Sequence, residues 1–106
     1  MNRAGIHFDI KKQLKKGKDP LLFSIEIWEK KVKDIESGKP ILIGSLTCPL
    51  CVVNEDDCTK CVYVKKYGQE CWEGAYGDFR VALKGKDKEG MSATAKAMVK
   101  ELKEIQ

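Results

Sequence analysis

Apolar side chains recur at helical spacing in two well-marked stretches of the chain. Leu21, Ile25, Trp28, Val32 and Ile35 follow one another at steps of four, three, four and three, which lays them along one face of a helix. Leu22, Phe23 and Ile27 are expected to widen the buried face near its start. Asp19 ahead of Pro20 supplies a capping carboxylate and a residue suited to the first turn, and Ser37-Gly38 followed by Pro40 supplies the stop. The pattern predicts a helix over 19–38, with Glu29–Lys33 and Lys30–Asp34 as weak ion pairs on its outer side.

Near the other end, Ala95, Met98, Leu102 and Ile105 step by three, four and three, flanked by Val99. Ser92 is the expected cap, and Gly90 the point behind which this helix does not extend. Two helices that are each apolar on one face are expected to pack on each other or on the segment between them. In that segment Ile41-Leu42-Ile43 fits a short strand. Trp72, Tyr76, Phe79 and Leu83 resume a helical step, but Gly74 and Gly77 interrupt it, which predicts a loop leading into a short helix over 78–83. Lys84 to Gly90 then reads as a polar linker.

The segment between the helices also holds the chain's strongest chemical signal, Cys48-Pro49-Leu50-Cys51 and Cys58-Thr59-Lys60-Cys61. Two cysteines separated by two residues place both sulfurs on one side of a turn or helix start, and two such pairs bring four thiolates to a tetrahedral ion. Asn54 to Asp57 are suitable residues for the reversal between the pairs. The economical ligand set is Cys48, Cys51, Cys58 and Cys61 around Zn2+, with Cys71 as a replacement ligand. An iron–sulfur cluster takes the same four thiolates and is the alternative cofactor. The fold class expected is therefore mainly α, a small metal-stapled domain in which N-terminal and C-terminal amphipathic helices flank a four-cysteine zinc module. In outline, 1–18 is a basic arm and 19–106 one zinc-stabilised domain, with the cysteine module at 41–77.

Ile41 to Cys51 is also similar to a glutaredoxin strand running into its Cys-Pro-x-Cys helix start. Glutaredoxin-like proteins place a cis-proline later in the chain. Here Pro20, Pro40 and Pro49 are the only prolines, so thiol–disulfide exchange ranks as the second alternative.

Charge adds a further possibility. Arg3, Lys11, Lys12, Lys15, Lys16 and Lys18 against Asp9 give the first eighteen residues +5, whereas the whole chain carries +4, leaving −1 for the remainder. The basic character thus belongs to the arm, which is expected as a solvated leader. Nucleic-acid binding is the first alternative function. Lys11, Lys12, Lys15, Lys16 and Lys18 would neutralise phosphates, Lys60, Lys65 and Lys66 would extend the basic surface, and Tyr63 and Tyr67 would stack on bases.

Trp28-Glu29-Lys30, the two Cys-x-x-Cys pairs, Cys71 and the charged helix around Lys100-Glu101-Leu102 together resemble the layout of a group of small bacteriophage and prophage proteins. That group usually has Pro after the second pair and a Thr-Pro-Tyr-like turn after the last Cys, where this chain has Val62 and Gly74-Ala75-Tyr76. The resemblance implies a metal and a phage-encoded origin, and carries no activity across.

His7 is the only histidine, and no phosphate-binding glycine loop, serine nucleophile elbow or His-Glu-x-x-His pattern occurs, so an enzyme is not expected. Five cysteines with two-residue gaps, an N-terminal segment without an apolar run and no bilayer-length apolar stretch favour reduced thiols in a cytoplasm. The reading that results is a zinc-binding protein-interaction module, with an unidentified protein as partner.

Overall fold

The structure, a computed structural model, describes residues 3–39, 41, 48–54, 60–69 and 73–105. It is mainly helical, and no strand occurs among the described residues. The helices are α1 (Arg3–Lys15), α2 (Pro20–Glu36), α3 (Pro49–Val53), α4 (Val62–Tyr67), α5 (Ala75–Lys84) and α6 (Lys88–Ile105).

α2 starts and stops where its punctuation directs. Asp19 Oδ1 accepts the N–H groups of Leu21 at 2.8 Å and Leu22 at 3.1 Å, satisfying two donors that have no partner within the helix. At the other end Gly38 takes a φ of 75°, and the Lys39 N–H reaches back to the Asp34 carbonyl at 2.8 Å. This is a Schellman closure, which needs a residue that tolerates the left-handed region.

α6 packs most extensively on α2 and on α5, as the two apolar stripes direct. Ile25, Trp28 and Ile35 of α2 meet Ala95, Met98 and Leu102 of α6 in one core, with Leu21, Val32, Val99 and Ile105 at its margin. Phe79 of α5 is fully buried, its ring edge-on to Trp28 at 5.1 Å, and Tyr76 meets the same indole at 5.8 Å. On the outside, Lys103 lies 3.7 Å from Glu29 and Lys96 3.5 Å from Glu36, both pairing α6 with α2. Exposed pairs of this kind contribute about 1 kcal/mol or less each.

Four expectations are corrected. Leu22 is exposed, and the burial at the start of α2 is carried by Phe23 and Ser24. The short helix is longer than its glycines suggested, running from Ala75 through Gly77 to Lys84. Burial of Ala75 and Phe79, with Tyr76 packed on Trp28, offsets the glycine's roughly 1 kcal/mol disadvantage. α6 begins at Lys88 rather than behind Ser92. Asp87 heads it, its carboxylate accepting the Gly90 N–H at 3.0 Å and its carbonyl the Met91 N–H at 2.8 Å. The linker therefore shrinks to a tight turn.

The fourth correction concerns the basic arm, which is a helix packed on the fold and not a solvated leader. Ile10 of α1 is 1% exposed, and α1 packs on α3. Gly17, with a φ of 93°, closes α1 as Gly38 closes α2. The strand expected at 41–43 falls largely outside the described residues. Ile41 itself is irregular and packs against the core.

Candidate metal centre

Each Cys-x-x-Cys pair has a described cysteine at the head of a short helix. Cys48 precedes α3 with extended backbone (φ −116°, ψ 116°), Pro49 takes the first helical position, and Cys51 follows within the first turn. Cys61 precedes α4 in the same manner (φ −72°, ψ 134°). All three are partly buried cysteines outside any disulfide.

Around Cys48 the geometry is that of half a thiolate site. The backbone N–H groups of Leu50 and Cys51 both donate to its sulfur, and the Cys51 thiol hydrogen-bonds to it as well. These donors belong to the first helical turn, where N–H groups have no partner within the helix and point at whatever stands in front. The hydrogen bond from the Cys51 side chain is the largest influence on the Cys48 thiol. Burial opposes it, but the two N–H groups and the Lys31 ammonium help bring the thiol down from 9.0 to about 6.

Lys31, on α2, is the cation facing this sulfur, and its Nζ also lies 4.9 Å from the Trp28 ring centroid. Burial lowers the pKa of Lys31, while Cys48 and Asp34 work against that shift. The sequence held no signal for this neighbour, because seventeen positions separate the two residues and only the packing of α3 on α2 joins them.

Cys58 and Cys71 lie outside the described residues, as do Glu55, Asp56 and Asp57. Among the described residues no group of three or more His, Cys, Asp or Glu side chains is gathered that could hold a metal ion. Cys48 and Cys51 lie within hydrogen-bond reach of each other, and the tetrad expected from the sequence goes no further than that pair among the described residues.

The nucleic-acid candidates separate into two sets. Lys11, Lys12, Lys15 and Lys16 are exposed on or just beyond α1, and Lys60, Lys65 and Lys66 are exposed at α4. Lys18 is engaged, its Nζ 2.7 Å from Glu26 and 4.3 Å from the Phe23 ring centroid. The two tyrosines are not free to stack. Tyr63 is fully buried and donates its hydroxyl to Glu101 Oε2 at 2.9 Å, and Tyr67 donates to the Glu101 carbonyl at 2.7 Å. The two ring centroids lie 4.8 Å apart. Their role is to fasten α4 to α6.

Glu101, to which the sequence assigned no role of its own, also accepts the Ala75 N–H at 3.1 Å and so caps α5 from another helix. Among the described residues the exposed aromatic is Phe8, on α1.

No family model, curated protein or solved structure matches this chain. Among the described residues no helix is long and apolar enough to cross a membrane.

Proposed function

We propose that the chain is a small zinc-stabilised protein-interaction module, phage-encoded and directed at a protein of the host cytoplasm. The observation that carries the reading is the Cys48 sulfur, which receives two backbone N–H groups at the head of α3 with Cys51 bonded beside it. Those N–H groups offset negative charge on the Cys48 sulfur, which is thus arranged to lose its proton to a metal, with Cys51 as the ligand beside it. Cys58 and Cys61, with Cys71 as substitute, are the residues that would complete the set. When bound, zinc supplies a fixed crosslink between the starts of two short helices and no reaction. A rigid surface for a protein partner is the use that remains for such a scaffold, given that no acid, base or nucleophile motif accompanies the cysteines in the sequence.

Native mass spectrometry with elemental analysis of the freshly purified chain tests this directly. The expected result is one zinc per chain, lost in Cys48→Ser and in Cys61→Ser, with partner binding lost alongside the metal. A variant that lost zinc yet kept its fold and its partner would sink the proposal. A cysteine pair at a helix head also serves thiol–disulfide exchange, and alkylation separates the two uses. Thiols protected in the zinc-loaded protein support the metal, and mixed disulfides at Cys48 with zinc present support exchange.

A further inference from the structure

α1 turns its apolar positions inward and leaves one aromatic outside. Ile10 is buried and Ile6 and Leu14 partly so, one turn to either side of it. Phe8 is 72% exposed. At about 100° per residue, Phe8 lies roughly opposite Ile10, and Lys11, Lys12 and Lys15 fall within about 60° of it on the same outer face. Lys16 follows at the edge of that face. All four ammonium groups are exposed, and among the described residues none enters an ion pair. Asp9 alone among the acids lies on this helix, about 100° away from Phe8.

A free aromatic ringed by unpaired cations fits a polyanion that also presents flat apolar faces. We infer that the outer face of α1 binds single-stranded nucleic acid, with Lys11, Lys12 and Lys15 on phosphates and Phe8 stacked on an unpaired base. Stacking on one protruding ring requires a base that is not already stacked in a duplex, which selects the single strand. A lipid surface is the poorer fit, because insertion needs a continuous apolar face and the apolar face of α1 is spent on the fold. No cysteine belongs to this surface, so its failure would leave the zinc reading untouched.

The test is fluorescence anisotropy of a fluorescein-labelled oligothymidylate, about 12 nucleotides long, against the full chain across a salt series. Three phosphate contacts predict a slope of log K against log salt of about −2. Phe8→Ala is expected to weaken binding about 5- to 150-fold without changing that slope, and Phe8→Trp to retain affinity. Lys12→Ala with Lys15→Ala should flatten the slope by about 1.4. Lys65→Ala with Lys66→Ala should alter neither quantity. Phe8 is largely exposed, so circular dichroism and thermal midpoint should be unchanged in Phe8→Ala. The inference is overturned if the oligonucleotide does not bind at low salt or if Phe8→Ala binds as tightly as the parent. Tighter binding of duplex than of single strand overturns it too. So does capture by phosphatidylserine vesicles without oligonucleotide binding, which would assign the face to lipid.

Discussion

Ser24 and Tyr67 show how single polar groups fare in this fold. Ser24 is fully buried on α2, and its hydroxyl has no hydrogen-bond partner among the described residues. A buried hydroxyl without a partner has lost its water and gained nothing in return. Ser24→Ala is therefore expected to raise stability by about 1 kcal/mol, read as a higher urea midpoint at unchanged slope. A lower midpoint would show that the hydroxyl is bonded after all.

Tyr67 is raised above its ordinary 10.0, first by desolvation and then by the carboxylates of Glu104 and Glu101 beside it. Its phenol thus keeps its proton in the folded chain at a pH where the unfolded chain releases it. The stability this contributes is complete below pH 10.0 and is lost as pH rises from there through the folded value. Tyr67→Phe should lose that alkaline decline, and the wild-type phenol should titrate above the free amino acid in an absorbance titration.

At the scale of elements, Gly74 sits where α4, α5 and α6 meet. A Cβ there would press into the Tyr63 hydroxyl and approach Gln69 and Glu101 at 3.2 and 3.4 Å. Tyr63 has no room to yield, since its ring is buried and its hydroxyl holds Glu101. Gly74→Ala is expected to cost about 1–3 kcal/mol. In Tyr63→Phe, which removes the obstructing oxygen, the same substitution should cost measurably less. Equal costs in both backgrounds would place the strain elsewhere.

This junction explains what the sequence could and could not announce. α2 was legible because its caps and its stripe are local: Asp19, Pro20, Ser37 and Gly38 act within one turn of themselves. α6 was legible in its stripe but not in its start, because Asp87 lies within a charge run that reads as linker. α5 is capped by Glu101, twenty-six residues away from Ala75, and no local pattern encodes such a cap. α1 was hidden for another reason. Ile6, Ile10 and Leu14 do recur every four residues, yet the lysines around them dominate the composition and suggest solvent. Of the candidate site, the spacing marked Cys48 and Cys51, whereas Lys31 beside them and Phe8 in the open follow only from packing.

For the whole molecule, the division of labour between core and cysteines gives the most telling prediction. Trp28, Phe79, Ala95, Met98 and Leu102 join α2, α5 and α6 in the core, to which the two short helices that follow Cys48 and Cys61 add Leu50 and Tyr63. α3 and α4 have five and six residues, far below the roughly 12–15 at which helices persist alone. Each contributes one buried member to the core cluster, Leu50 from α3 beside the buried Pro49, and Tyr63 from α4 with Tyr67 packed alongside. If zinc crosslinks their heads, removing it should release these two helices first and leave the three-helix core in place. Hydrogen exchange with and without chelator reads this directly: protection should fall across 49–53 and 62–67 and persist across 20–36, 75–84 and 88–105. α1 leans on α3, so protection across 3–15 should fall together with that of 49–53. Loss of protection everywhere at once would mean that the three-helix core does not hold without the metal. No change anywhere would mean that the cysteines are not a staple.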